Sequence, residues 1–190
     1  QRFLSWKLDK PGLFTQSVVL RASQPVNELL LRQALQALAV HHDMLRATIV
    51  GSSIVIRPTT DNNLFSLEET TLPPNISSTV LGGLEAETAN RQSTLIDLEH
   101  GPILRTVLLH ADDGDRLLMV CHHIAIDGVS WRILVEDLTT ALSQLVQDKN
   151  IALPRKTHSF AYWTDAVSRY RDRYLLQTEK SYWEQAQKQM

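Results

Sequence analysis

The chain alternates between short apolar runs of strand character and longer segments whose apolar positions recur at helical spacing. Leu13 to Leu20, ending in Ser17-Val18-Val19-Leu20, is rich in apolar and β-branched residues and predicts a strand. Gln24-Pro25 then opens a predicted helix, in which Val26, Leu29, Leu30, Ala34, Ala37 and Leu38 form a stripe as far as His41. Arg46 to Val50 and Ile54 to Arg57 flank Gly51-Ser52-Ser53 and predict a β-hairpin. Leu64 to Glu69 predicts a further strand before the Pro73-Pro74 loop. Leu81 to Leu95 predicts a helix weakened at its start by Gly82-Gly83. After Gly101-Pro102, Ile103 to His110 and Arg116 to His123 read as two strands joined across Asp113-Gly114, a strong hairpin signal.

Ser130 to Val146 carries Trp131, Leu134, Val135, Leu138, Ala141, Leu142 and Leu145 on one apolar stripe and predicts a helix, with Ser130 placed as its cap. Beyond Leu153-Pro154, two amphipathic helices are expected, from Ser159 to Arg173 and from Thr178 to Gln189. With no repeat, linker or low-complexity tract, the pattern predicts one compact α+β unit.

Composition narrows the function classes. The 190 residues are 43% hydrophobic and 21% charged, ordinary for a soluble domain with a substantial core. A formal net charge of −2 provides no electrostatic footprint for nucleic acid or an anionic membrane. No apolar run reaches the roughly 18 residues of a membrane span. The opening Gln1-Arg2-Phe3-Leu4-Ser5-Trp6-Lys7 lacks the features of a signal peptide and, without an initiator Met, reads as the middle of a longer chain. The single cysteine, Cys121, excludes an internal disulfide and fits a reducing, cytoplasmic setting.

The chemistry concentrates in His122-His123-Ile124-Ala125-Ile126-Asp127-Gly128. Successive side chains on a strand face opposite sides of the sheet, so His122 and His123 do not converge on one metal ion or one substrate. That geometry, with no HExxH and no paired Cys-x-x-Cys, leads us to expect no metal site. One histidine is then structural and the other chemical, and histidine is the usual residue for moving a proton near neutral pH. With the hairpin turn centred on Asp113-Gly114, Arg105 falls opposite His122 on the same face, placed to pair with Asp127 and shape the loop after His123. Cys121 is expected to act as a small buried hydrophobe. His41-His42 close a helix, where cations complement its C-terminal end.

The His122 to Gly128 segment resembles the signature of the condensation-domain superfamily of nonribosomal peptide synthetases, which shares its fold with chloramphenicol acetyltransferase. His41-His42-Asp43-Met44-Leu45-Arg46 and Gly101-Pro102-Ile103-Leu104-Arg105 are similar to further motifs of that superfamily, in the same order. Gly128-Val129-Ser130-Trp131-Arg132-Ile133-Leu134 resembles the epimerization branch, as do Lys156-Thr157-His158-Ser159-Phe160 with Trp163. Phe14-Thr15-Gln16-Ser17-Val18 is similar too, with Thr15 where that branch has Asn.

The resemblance implies a mixed, mostly antiparallel sheet with helices packed on it. It also implies that residues 1–190 form the amino-terminal lobe of a two-lobed domain, with the carboxy-terminal lobe outside this chain. The implied activity is inversion of the α-carbon of an aminoacyl or peptidyl residue. That residue is held as a thioester on the 4'-phosphopantetheine of a carrier domain, with no cofactor bound directly. Implied partners are that carrier, the second lobe and adjacent synthetase modules. His123 is then the catalytic residue. His122, Asp127, Arg105 and Gly128 support the site, Ser130 and Trp131 line the substrate tunnel, and a glutamate from the second lobe completes the acid–base pair. Amide formation between two carrier-bound substrates, a non-catalytic carrier-docking role and coenzyme A-dependent acyl transfer are the alternatives.

Overall fold

A computed structural model describes residues 8–22, 24–171 and 174–188. Gln1 to Lys7, read above for a signal peptide, lie outside it, as do Arg173 and Gln189, the expected ends of the last two helices. The chain divides into two units, residues 1–154 and 155–190, rather than the single unit expected from its pattern. Leu153-Pro154, which the sequence marks only as a break, is where they separate.

The first unit is built on a four-stranded sheet. Its strands are β1 (Thr15–Arg21), β4 (Ser66–Thr71), β5 (Leu104–His110) and β6 (Arg116–His122), in the order β1-β6-β5-β4. Pairings β1/β6 and β5/β6 are antiparallel, and β4/β5 is parallel. A separate hairpin joins β2 (Ala47–Val50) to β3 (Ser53–Ile56), as its central Gly51 at φ +60° allows. Every residue of β6 is buried, because both faces of this central strand are covered.

The two faces explain the alternation along the strand. Met119 and Cys121 pack with Leu104 and Leu108 against α1 (Glu28–His41) and α3 (Gly128–Val146), through Leu31, Leu35, Leu38, Leu134 and Leu138. Leu118 and Val120 pack on the other side with Ile103, Val107 and Leu109, where Ala89 of α2 (Ser78–Thr94) joins them. His122 continues this second face, and His123 continues the first.

Helix starts differ from the expected ones for a common reason. α1 begins at Glu28 because Asn27 accepts the N–H groups of Leu29 and Leu30, at 2.9 and 3.2 Å, so Pro25 stays outside. α2 begins at Ser78, capped by the Ser77 hydroxyl at 3.3 Å from Val80 N, and runs through Gly82-Gly83. In the second unit, α4 spans Phe160–Arg171 and α5 spans Tyr174–Lys188. No helix among the described residues is long and apolar enough to cross a membrane.

Candidate active site

β6 ends at His122, and the chain turns at once: Ala125 N–H donates to the His122 carbonyl at 3.0 Å. This turn lifts His123 out of the buried strand while its backbone N–H still pairs with the Phe14 carbonyl at 2.8 Å. The two adjacent histidines therefore meet different surroundings.

His122 is fully buried. Its Nε2 donates to the Pro11 carbonyl at 2.9 Å, and its Nδ1 accepts the Ile124 N–H at 3.1 Å, which stitches the turn to the 3-10 segment Pro11–Leu13. Burial pushes its pKa below the ordinary histidine value, so the neutral ring is the native form.

His123 is partly exposed. Its ring stacks on Phe14, with centroids 4.8 Å apart and planes at 21°. Nδ1 lies 2.6 Å from the Ile126 carbonyl oxygen, and Nε2 lies 3.2 Å from the Gln16 amide nitrogen. Gln16 Oε1 in turn accepts the Trp131 indole N–H at 3.1 Å. Trp131 is 7% exposed and belongs to the core, and it is linked to His123 through Gln16.

Asp127 is the N-cap of α3, in place of Ser130, which stands in the helix's first turn. Its Oδ1 accepts the Ser130 N–H and hydroxyl, and these hydrogen bonds hold its carboxyl below the usual aspartate range. Arg105 does not pair with it. The register sets Arg105 opposite Val120, two residues short of His122, and its guanidinium reaches Gln92 Oε1 at 2.6 Å and Glu68 Oε1 at 3.2 Å. The face was as expected and the partner was not, because the pairing is centred between Asp112 and Asp113, one residue before Asp113-Gly114, which moves the residue opposite Arg105 by two. Gly128 opens α3 in ordinary helical conformation, and a Cβ there would meet nothing within 4 Å. Its backbone therefore has no need of glycine.

Burial pushes the Cys121 thiol up to about 12, which removes it as a nucleophile. Each of several glutamates is engaged elsewhere: Glu68 with Arg91, Glu69 with His110, Glu85 with Arg116 and Glu136 with Arg132. Away from the turn, His42 Nε2 meets Asp137 Oδ2 at 2.8 Å, tying the end of α1 to α3. With His41 they bring three ligand-type atoms within 4.8 Å of one another.

Phe14, Gln16 and Ile126 stood in motifs of the sequence without a role in the site, and Pro11 was not singled out at all. Gln16 is 107 residues from His123, and only the β1/β6 register, which sets it opposite Cys121, brings the two together. What the site offers chemically is a partly exposed imidazole beside a turn, braced by Gln16, Ile126 and Phe14.

Comparison with known proteins agrees with this architecture. The condensation-domain family model matches residues 1–190. Tyrocidine synthase 2 of Brevibacillus parabrevis is 37% identical over 175 residues, which are 90% of this chain and 5% of that protein. Gramicidin S synthase 1 of Brevibacillus brevis is 34% identical over 182 residues, 94% of this chain and 15% of that protein. The chain thus spans a small fraction of the curated relatives it matches. The crystal structure of the epimerization domain from the third module of tyrocidine synthetase B superposes with a TM-score of 0.86 at 35% identity, over 96% of this chain and 40% of that one. The starter condensation domain of rhizomide synthetase shares the fold at 15% identity, with a TM-score of 0.72 over 92% of this chain and 44% of that one.

Proposed function

Because the chain belongs to the condensation-domain family, we propose that it supplies the histidine half of an active site that epimerizes an aminoacyl or peptidyl thioester. The substrate is presented on the 4'-phosphopantetheine of a carrier domain, and no cofactor takes part. The observation that carries this reading is the likeness to an epimerization domain at 35% identity over 96% of the chain. His123, a partly exposed imidazole held by three neighbours at the head of α3, suits the task.

A thioester acidifies its α-hydrogen because the resulting enolate places charge on the carbonyl oxygen. His123 Nε2 takes the proton as the Cα–H bond breaks. The released pair forms the Cα–C double bond, and the carbonyl π pair moves to oxygen. Inversion then needs a proton delivered to the opposite face. The glutamates traced above are paired elsewhere, so the reading assigns that proton to a group outside this constellation. A second lobe of the same domain is its source in our proposal, with the carrier and neighbouring synthetase domains as partners.

The test is to load the carrier of the native protein with an L-aminoacyl thioester in D2O, then follow α-deuterium incorporation and product stereochemistry. Deuterium uptake with a D product, abolished by His123→Ala, is expected. Amide formation with retained configuration would place the protein in the condensing branch instead. No turnover of either kind would leave a docking role.

A further inference from the structure

Hydrogen-bond chemistry decides which nitrogen of His123 carries the hydrogen. An indole N–H can only donate, so the Gln16 atom 3.1 Å from Trp131 Nε1 is the amide oxygen. The other end of that amide is then its NH2, which also only donates, and it meets His123 Nε2 at 3.2 Å. Nε2 must present a lone pair. On the far side of the ring, Nδ1 lies 2.6 Å from the Ile126 carbonyl oxygen, which only accepts, so Nδ1 bears the hydrogen. Two anchors on opposite sides of the ring thus require the same tautomer. His122 requires the other one, with hydrogen on Nε2 toward the Pro11 carbonyl and a lone pair on Nδ1 for the Ile124 N–H.

We propose that Gln16 is a positioning residue: its carboxamide, oriented by buried Trp131, holds His123 in the Nδ1–H tautomer and presents Nε2 as the basic atom. The functional meaning rests on the epimerization reading above, whereas the tautomer does not. When Nε2 takes the α-proton, the Gln16 N–H must leave it, since two donors cannot face each other. The amide contact therefore exists only with the neutral ring and is broken and remade with each proton transferred. Phe14, stacked at 4.8 Å, keeps the ring plane in place while this happens.

The test combines ring 15N spectra of the histidine-labelled native protein with steady-state α-proton exchange. Wild type should show His123 hydrogen on Nδ1. Gln16→Met removes the donor while keeping similar bulk. An Nε2–H population should then appear, and kcat should fall about tenfold, the loss expected for one hydrogen bond, with KM little changed. Gln16→Glu keeps the acceptor for Trp131 but accepts at the other end as well, so it should drive hydrogen onto Nε2. Trp131→Phe retains the apolar ring, frees the amide to rotate, and should give a smaller change of the same sign. An unchanged Nδ1–H ring in both folded Gln16 variants would overturn the proposal. If the tautomer shifts as described but wild type exchanges no α-proton, the tautomer assignment stands and the epimerization reading falls.

Discussion

Asp127 Oδ1 accepts the Ser130 backbone N–H at 2.8 Å and the Ser130 hydroxyl at 2.7 Å, closing the first turn of α3 immediately after the His123 turn. Asp127→Ala leaves that N–H without its cap and should cost about 1 kcal/mol of stability. Asp127→Asn, which keeps an acceptor oxygen, should cost less. The carboxyl is held below its usual value, so its extra stabilisation is present above pH 3.8 and lost as pH falls through the lower native pKa. Urea unfolding of the two variants from pH 7 to pH 3 checks both points. An Ala variant as stable as wild type would refute the capping role.

The elements were legible wherever a local period carries them. The apolar stripes of α1 and α3 and the run Leu117 to Cys121 are self-contained signals, and each appears within a few residues of its expected limits. The site was legible only in part. His123 and His122 fall on different faces because strand geometry is local. Arg105 illustrates the limit, since its face follows from alternation but its partner follows from register, which the centre of the β5/β6 pairing sets. Gln16 stood in a motif similar to the epimerization branch, but its partnership with His123 was not legible, because it depends on β1 pairing with a strand about a hundred residues away. The break into two units was also hidden, since helical periodicity continues on both sides of Pro154.

His122 should be indispensable for folding rather than for chemistry. His122→Ala removes the partner of the Pro11 carbonyl and of the Ile124 N–H and empties a fully buried side chain. The expected loss is about 2–4 kcal/mol. Burial lowers the native pKa of His122, so its contribution is fully present above pH 6.5 and declines as pH drops through the lower native value. The deficit of the variant relative to wild type should therefore be larger at pH 8 than at pH 5. A deficit that grows on acidification would contradict the buried neutral ring.

His110 should show the opposite slope. Its Nε2 meets Glu69 at 2.6 Å and its Nδ1 meets Asp115 at 2.8 Å, so both ring nitrogens face carboxylates and the pKa is raised. The stabilisation is fully present below pH 6.5 and is lost as pH rises through the raised native value. Comparing unfolding midpoints of wild type and His110→Gln at pH 6 and pH 9 should give the larger gap at pH 6. Equal gaps would mean that the bridge carries no net charge pairing.

Gly128 offers a way to separate stability from function at the same turn. It occupies the first position of α3 in ordinary helical conformation, and an added Cβ meets nothing within 4 Å. Alanine is the better helix former, so Gly128→Ala should leave stability unchanged or raise it by up to about 1 kcal/mol. A glycine that the fold does not need, one residue past the cap that follows His123, has a reason if the substrate must approach the backbone there. The epimerization reading therefore predicts slower α-proton exchange in Gly128→Ala without any loss of folding, with the change appearing chiefly in KM as the thioester is crowded. Thermal unfolding and exchange kinetics on the same preparation check the pair of outcomes. Full activity in a stable variant would show that the reacting atoms do not pass over this position, and would move the substrate to the Phe14 side of His123.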